Sequence, residues 1–202
     1  QASVLLSSFQ AMARRGWRLG SVSGDDVDDR WLRELIVVVP DNQVLAFEGV
    51  FGDGDVDIAT PLHPNNVTRR LTRANWKAIP VGIEHGTVLA VAPEGGGTFE
   101  VTTLREDVET DGRHATVRFT DSWKEDAARR DFTYNAISVD REGYLYDYFG
   151  GLEDLEGGYT RFVGNASDRI AEDRLRILRA YRFHARFGLR AWDGATARAL
   201  AA

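Results

Sequence analysis

Residues 52–62 read "GDGDVDIATPL", three aspartates within five positions at the mouth of an apolar run. A strand alternates its side chains between two faces, so Asp55 and Asp57 project to one side while Val56 and Ile58 enter the core on the other. Two carboxylates about 7 Å apart along one strand can converge on a hard cation, and Mg²⁺ prefers a few carboxylates completed by water and substrate phosphates. The same alternation runs through "FEVTTL", residues 99–104, where Glu100 lies between core-facing Phe99 and Val101 and can supply a third carboxylate. A D-x-D alone is most often a solvated turn ahead of a strand, so its meaning depends on what else the chain carries.

The chain has 202 residues, enough for one or two domains with a real core, and its 43% hydrophobic and 28% charged content is that of an ordinary globular protein. No apolar run approaches the roughly 18 residues of a membrane span, and the start "QASVLLSSFQAMARRGW" lacks the basic-then-apolar order of a secretory signal, which sets a cytoplasmic expectation with no membrane partner. The absence of cysteine excludes disulfides and zinc-thiolate sites. A net charge of −6 argues against bulk nucleic-acid binding, yet residues 168–190 hold a local basic patch of seven arginines against three acids.

Periodicity predicts a helix over 3–15, a strand at "IVVV" (36–39) ended by Pro40, a strand over 56–59 and a helix from Pro64 to about Asn75. "TVLAVAP" and "TFEVTTL" read as a hairpin across the turn "EGGG", residues 94–97. Ser122 with Glu125 has capping-box spacing and starts a helix expected to run through "DAARRDFTYNA" to residue 136. After a strand at "YLYDY" the pattern turns wholly helical, with Ile170, Ile177, Leu178, Tyr181 and Ala185 as one apolar stripe. The reading is therefore an unassigned extension over 1–35, a sheet-containing domain over 36–150, and a helical domain over 151–202. The last stops inside a further helix, as a fragment would.

Three more constellations stand beside the D-x-D. In "ARRDFTYNA" (128–136), Asp131 and Asn135 share a helix face at i, i+4 with Arg130 beside them; an exposed ion-paired face is the plain alternative. In "DYFGGLEDL" (147–155), paired glycines permit a sharp or mobile junction, or simply a loop. In "RIAEDRLRILRAYRFHARFG" (169–188), Asp173 and Arg176 are i, i+3 neighbours, and an intrahelical ion pair is the plain alternative.

In their order and spacing, D-x-D, "VGIEHGTV", "FEVTTLREDVETDGRH", "RRDFTYNAI", "FGGLEDL" and "RFVG…RIAEDRLRILRAYRF" closely resemble the class II tRNA CCA-adding nucleotidyltransferases and their poly(A) polymerase relatives, continuously from Asp55 to Gly188. The resemblance implies an α+β fold: a nucleotidyltransferase head of the DNA polymerase beta-like type with a mixed sheet, then an all-α neck. It implies template-independent addition of C and A from CTP and ATP to the 3′ end of tRNA. Asp55 and Asp57 would hold two Mg²⁺ ions, with Glu100 completing the catalytic carboxylates. Arg130, Asp131 and Asn135 would meet the sugar and phosphates of the incoming nucleotide.

Asp173 and Arg176 would read the base, with Glu172 orienting them and Arg179 a weaker candidate on the same face. Cytosine and adenine both present an amino donor beside a ring-nitrogen acceptor, so one carboxylate and one guanidinium can serve both. Uracil and guanine would leave those groups unpaired at roughly 1 to 3 kcal/mol each. Poly(A) addition, or a catalytically impaired nucleotide- and RNA-binding fragment, are the alternatives. The family's G-G-x-V-R-D signature is not matched, since its register holds "DNQVLA" (41–46), and Gly49, Gly52 and Gly54 would have to rebuild a phosphate cradle in a shifted register. His85 and His114 read as structural groups rather than general bases, and "ETDGRH" (109–114) as a polar, mobile loop.

Overall fold

The computed structural model describes residues 36–38, 57–93, 98–110, 115–140 and 145–202. The helix expected over 3–15, Asp55, the stretch 41–46, Gly49, Gly52, Gly54, the turn 94–97 and His114 lie outside them.

Seven strands make a mixed sheet: β1 (Ile36–Val38), β2 (Asp57–Thr60), β3 (Lys77–Gly82), β4 (Thr87–Val91), β5 (Thr98–Thr103), β8 (Ser138–Asp140) and β9 (Leu145–Tyr146), in the order β3-β4-β5-β2-β1-β8-β9. Of its neighbouring pairs only β2 and β5 run parallel. The expected hairpin is present, β4 pairing with β5 from Val91↔Thr98 to Thr87↔Thr102. A separate ribbon is formed by β6 (Arg105–Thr110) and β7 (Ala115–Phe119).

Pro61 follows β2, and α1 (Pro64–Arg73) opens with proline at its first position while His63 Nδ1 accepts the Asn65 N–H at 3.3 Å. This helix buries Val67 and Leu71 against Val88, Ala90 and Val101, which backs the β4–β5 part of the sheet. Beyond Tyr146 every regular element is helical: α3 (Gly151–Gly157), α4 (Ala166–Glu172), α5 (Leu175–Phe187) and α6 (Gly194–Ala201).

Three expectations are corrected. The helix begun at Ser122, whose Oγ accepts the Glu125 N–H at 3.3 Å, is α2 (Trp123–Ala128) and ends well short of residue 136. Phe132 takes an extended conformation (φ −115°, ψ 149°), pairs across a bridge with Phe162, and leads into a 3₁₀ turn at Thr133–Ala136. Its ring is 0% exposed, 4.8 Å from Phe162 and 5.2 Å from Phe183, so aromatic burial overrides local helix propensity. The helix read over 169–188 is two helices, broken where Asp173 is extended (φ −152°, ψ 110°) and its Oδ1 accepts the Leu175 N–H at 2.9 Å. Finally, of the expected stripe Ile170 packs against the core but Leu178 and Tyr181 face outward, Leu178 67% exposed; Ala180, Phe183 and Phe187 face the core. Helix α5 has two apolar faces, and the rings of Phe132 and Tyr134 select the phenylalanine face.

Candidate active site

Asp57 sits directly opposite Glu100 in the parallel β2–β5 ladder, and Ile58 opposite Val101. In-register neighbours on adjacent strands point to the same face, about 4.8 Å apart, so the two acids share one side of the sheet while Ile58 and Val101 pack on the other. Glu100 is exposed and Asp57 half-buried. Hard carboxylate oxygens at this spacing suit a divalent cation such as Mg²⁺. Among the described residues no cluster of three or more metal-binding side chains is present; Asp55, the remaining carboxylate of the expected set, lies outside them.

A second cluster joins α2, the turn after it and the helices beyond. Asp131 is 7% exposed: its Oδ1 accepts from the Phe132 N–H (2.9 Å) and from Asn135 Nδ2 (3.0 Å), and its Oδ2 accepts from Arg179 Nε (2.5 Å). Asp131 is thus bonded to both Asn135 and Arg179 although no single α-helix carries Asp131 and Asn135. Arg130 Nη2 donates to Asp126 Oδ2 at 3.1 Å and its Nη1 to the Asn135 carbonyl at 3.4 Å. Arg176, its side chain 12% exposed, donates from Nη1 to Glu172 Oε2 (2.6 Å) and the Arg169 carbonyl (3.1 Å), and from Nη2 to the Arg129 carbonyl (3.0 Å). Arg169 in turn donates to the Ala128 carbonyl at 2.9 Å and pairs with Glu172. The plain i, i+3 ion pair between Asp173 and Arg176 is not formed: Glu172 holds the guanidinium, and Asp173 sits at the helix break.

Several residues of this network were not singled out from the sequence. Asp126 and Asp154 are buried carboxylates, the first bonded to Arg129 and Arg130, the second to the Thr133 hydroxyl (2.8 Å) and Arg161. The i, i+3 and i, i+4 spacing of Asp126 to Arg129 and Arg130 was the available signal. Burial raises the Asp126 carboxyl, but the two arginines outweigh it and hold it below the usual carboxylate value. Arg105, pushed down to about 10 by burial and then by Arg129, donates from Nη1 to the His85 carbonyl, so the backbone of His85 has a structural role. Both oxygens of Asp147 accept N–H groups at the glycine pair, from Gly151 and Leu152 at 2.9 Å each, and Gly150 takes the left-handed conformation (φ +74°). A cavity of about 370 Å³ opens between the β6–β7 ribbon, α2 and α4, lined in part by Glu106, Glu125, Arg129 and Glu172. Among the described residues no helix is long and apolar enough to cross a membrane.

The chain is similar in sequence and fold to known proteins. The family model described as the poly A polymerase head domain matches residues 31–161. The mitochondrial CCA tRNA nucleotidyltransferase 1 of Danio rerio is 51% identical over 133 residues, 65% of this chain and 30% of that protein. The CCA-adding enzyme of Oceanobacillus iheyensis is 49% identical over 136 residues, 66% and 32% respectively. Among solved structures, that of the Bacillus stearothermophilus CCA-adding enzyme in complex with CTP matches with a TM-score of 0.60 at 41% identity, over 72% of this chain and 33% of that one. A tRNA nucleotidyltransferase complexed with a primer tRNA and an incoming ATP analog matches with a TM-score of 0.53 at 30% identity, over 72% and 40%. The matched region spans about a third of the length of the curated relatives.

Proposed function

The chain belongs to the poly A polymerase head domain family, and from that premise we propose that it carries the catalytic head (36–150) and nucleotide-reading neck (151–202) of an enzyme adding C and A from CTP and ATP to the 3′ end of tRNA without a template. The observation that supports this most is the bonded network that draws Arg130, Asp131 and Asn135 of the head together with Glu172, Arg176 and Arg179 of the neck. Groups fit for phosphate and ribose on one side, and for a base edge on the other, then share one site. The CTP and tRNA complexes of the relatives agree in kind.

Asp57 and Glu100, with Asp55, would hold Mg²⁺. A pair of such ions bound there would lower the pKa of an attacking 3′-hydroxyl and neutralise charge on departing pyrophosphate. The chain's own residues do the rest. Arg130 offers its guanidinium to the triphosphate, where charge-assisted bonds are strong. Asn135, oriented by Asp131, presents its amide near the ribose, where a polar group can recognise the 2′-hydroxyl. Arg176 uses three of its five N–H groups on Glu172 and two backbone carbonyls, which fixes the plane in which the other two meet a base. Asp173, held at the helix break rather than in a helical pair, supplies the acceptor beside it. Such a fixed donor and acceptor select cytosine and adenine over uracil and guanine.

The test is incorporation of labelled CTP and ATP into tRNA lacking its CCA end, with Mg²⁺, beside a variant carrying Asp55→Ala and Asp57→Ala. Incorporation that disappears in the variant supports the reading; none at high enzyme concentration refutes it and leaves a nucleotide- or RNA-binding descendant. Poly(A) addition is the second reading, favoured by the description of the family model; a product ladder of A alone would put it first. The cytoplasmic setting expected from the sequence is likewise a proposal, beside the mitochondrial one that the vertebrate relative's name gives for that protein.

A further inference from the structure

One buried carboxylate grips both motif arginines yet has no part in the chemistry above. Asp126, 5% exposed, lies two residues before the end of α2. Its Oδ1 accepts from the backbone N–H of Arg105 at 3.2 Å, from Arg129 Nε at 3.0 Å and from Arg129 Nη2 at 2.9 Å; its Oδ2 accepts from Arg130 Nη2 at 3.1 Å. Resting on the reading of Arg130 as a triphosphate-binding residue, we infer that Asp126 is a positioning residue for the incoming nucleotide, fixing the guanidinium groups of Arg129 and Arg130 before the nucleotide arrives.

Two observations carry this. Arg130 is held from two sides, by Asp126 and by the Asn135 carbonyl, so its guanidinium is oriented without any ligand. An arginine ordered in advance loses little rotamer freedom on binding, whereas a loose one must be ordered by the nucleotide. The contact also reaches the base-reading side, because Arg129, bonded through its side chain to Asp126, offers its carbonyl to Arg176. A buried ion cluster is moreover no better for stability than well-packed apolar residues of the same volume. A carboxylate at this position therefore makes sense as a device for placement, and its three cationic or backbone partners all lie on segments that border the site.

The experiment measures CTP binding by calorimetry for the chain, for Asp126→Asn, for Arg130→Met and for the double variant. Asparagine keeps the volume and the Oδ1 acceptor but turns an amino group toward Arg130, so donor meets donor. The expected result is CTP binding weakened by about 10- to 100-fold, the equivalent of one charge-assisted hydrogen bond. The double variant should lose less than the two single losses combined, because Asp126 acts in part through that arginine. Unchanged CTP affinity in Asp126→Asn, or losses that add in the double variant, would overturn the inference. Should asparagine prevent folding, Asp126→Glu keeps the charge and displaces it by one methylene. A folded glutamate variant with weakened CTP binding supports placement, and one with unchanged affinity refutes it. Failure of both variants to fold would refute it in favour of a purely structural role. If the unaltered chain bound no CTP, the proposed function would fall and this inference with it; normal binding by chain and variant alike strikes the inference only.

Discussion

Neighbouring glycines at the junction give two substitutions that should behave differently. A Cβ on Gly151 would stand 2.3 Å from the Thr133 carbonyl oxygen, 2.6 Å from its carbon and 2.7 Å from Tyr134 Cα, all of them backbone atoms that cannot swing aside. On Gly150 the same Cβ would meet nothing within 4 Å, but φ there is +74°. Gly150→Ala therefore costs the left-handed strain alone, about 1 to 2 kcal/mol. Gly151→Ala requires the Thr133–Ala136 turn to retreat, and overpacking of a rigid site costs about 1 to 3 kcal/mol; backbone opposed to backbone puts it at the upper end. For a chain of this size each kcal/mol moves Tm by roughly 2–4 °C, so Gly151→Ala should melt about 6–12 °C lower and Gly150→Ala about 2–8 °C lower. Because the turn carries Asn135, Gly151→Ala should also weaken CTP binding, which Gly150→Ala should not. Differential scanning calorimetry with and without CTP measures both. A Gly151→Ala protein that melts within 2 °C of the parent, or above Gly150→Ala, would refute the close approach.

Phe132→Ala empties a fully buried site among Phe162, Phe183 and Tyr134, and should destabilise the chain by about 3–5 kcal/mol in urea titration. Arg176→Lys replaces a planar fork with a single ammonium that cannot reach Glu172, the Arg169 carbonyl and the Arg129 carbonyl together; preference for CTP over UTP should fall about tenfold, read by competitive incorporation. Asp126 has a folded-state pKa below its unfolded value, so its stabilisation is complete above the unfolded pKa, near 4, and is lost as pH falls through that range toward the folded value. Urea midpoints taken from pH 5.5 to 2.5 should drop less steeply in Asp126→Asn than in the parent.

Much of the architecture was legible because it follows a short period or a local cap. The Ser122 cap and α1 behind Pro64 rest on contacts within a few residues of one another, and the β4–β5 hairpin on two adjacent alternating runs. Where a distant partner decided, local pattern misled. Nothing near Phe132 announces that Phe162 and Phe183 will draw it out of a helix, and α5 carries apolar residues on two sides, so the choice of buried face needed the rings from the preceding turn. Asp131 and Asn135 meet as expected but through a 3₁₀ turn rather than a helical face. Asp173 and Arg176, proposed to read the base, were not legible as geometry, since the extended Asp173 separates two helices that periodicity had joined. Asp126 and Asp154 escaped notice because burial, which gives a carboxylate its meaning, is not written in composition.

The arginines that cross from the helices after residue 150 to the segment that ends α2 have a bearing on descent and engineering. Arg169 bonds the Ala128 carbonyl and Arg176 the Arg129 carbonyl, so these two arginines hold main-chain atoms of the first half, whereas Arg179 holds the Asp131 side chain. Main-chain acceptors are present whatever residue occupies the position, and substitution in the head cannot remove them. Those two ties survive divergence in sequence, but the Arg179–Asp131 pair and the Phe132–Phe183 contact depend on residue identity and would be mismatched in a chimera cut near residue 150 or at 161, where the family match ends. A chimera with a relative should keep its joint beyond Phe187, with the whole of α5 travelling alongside the sheet.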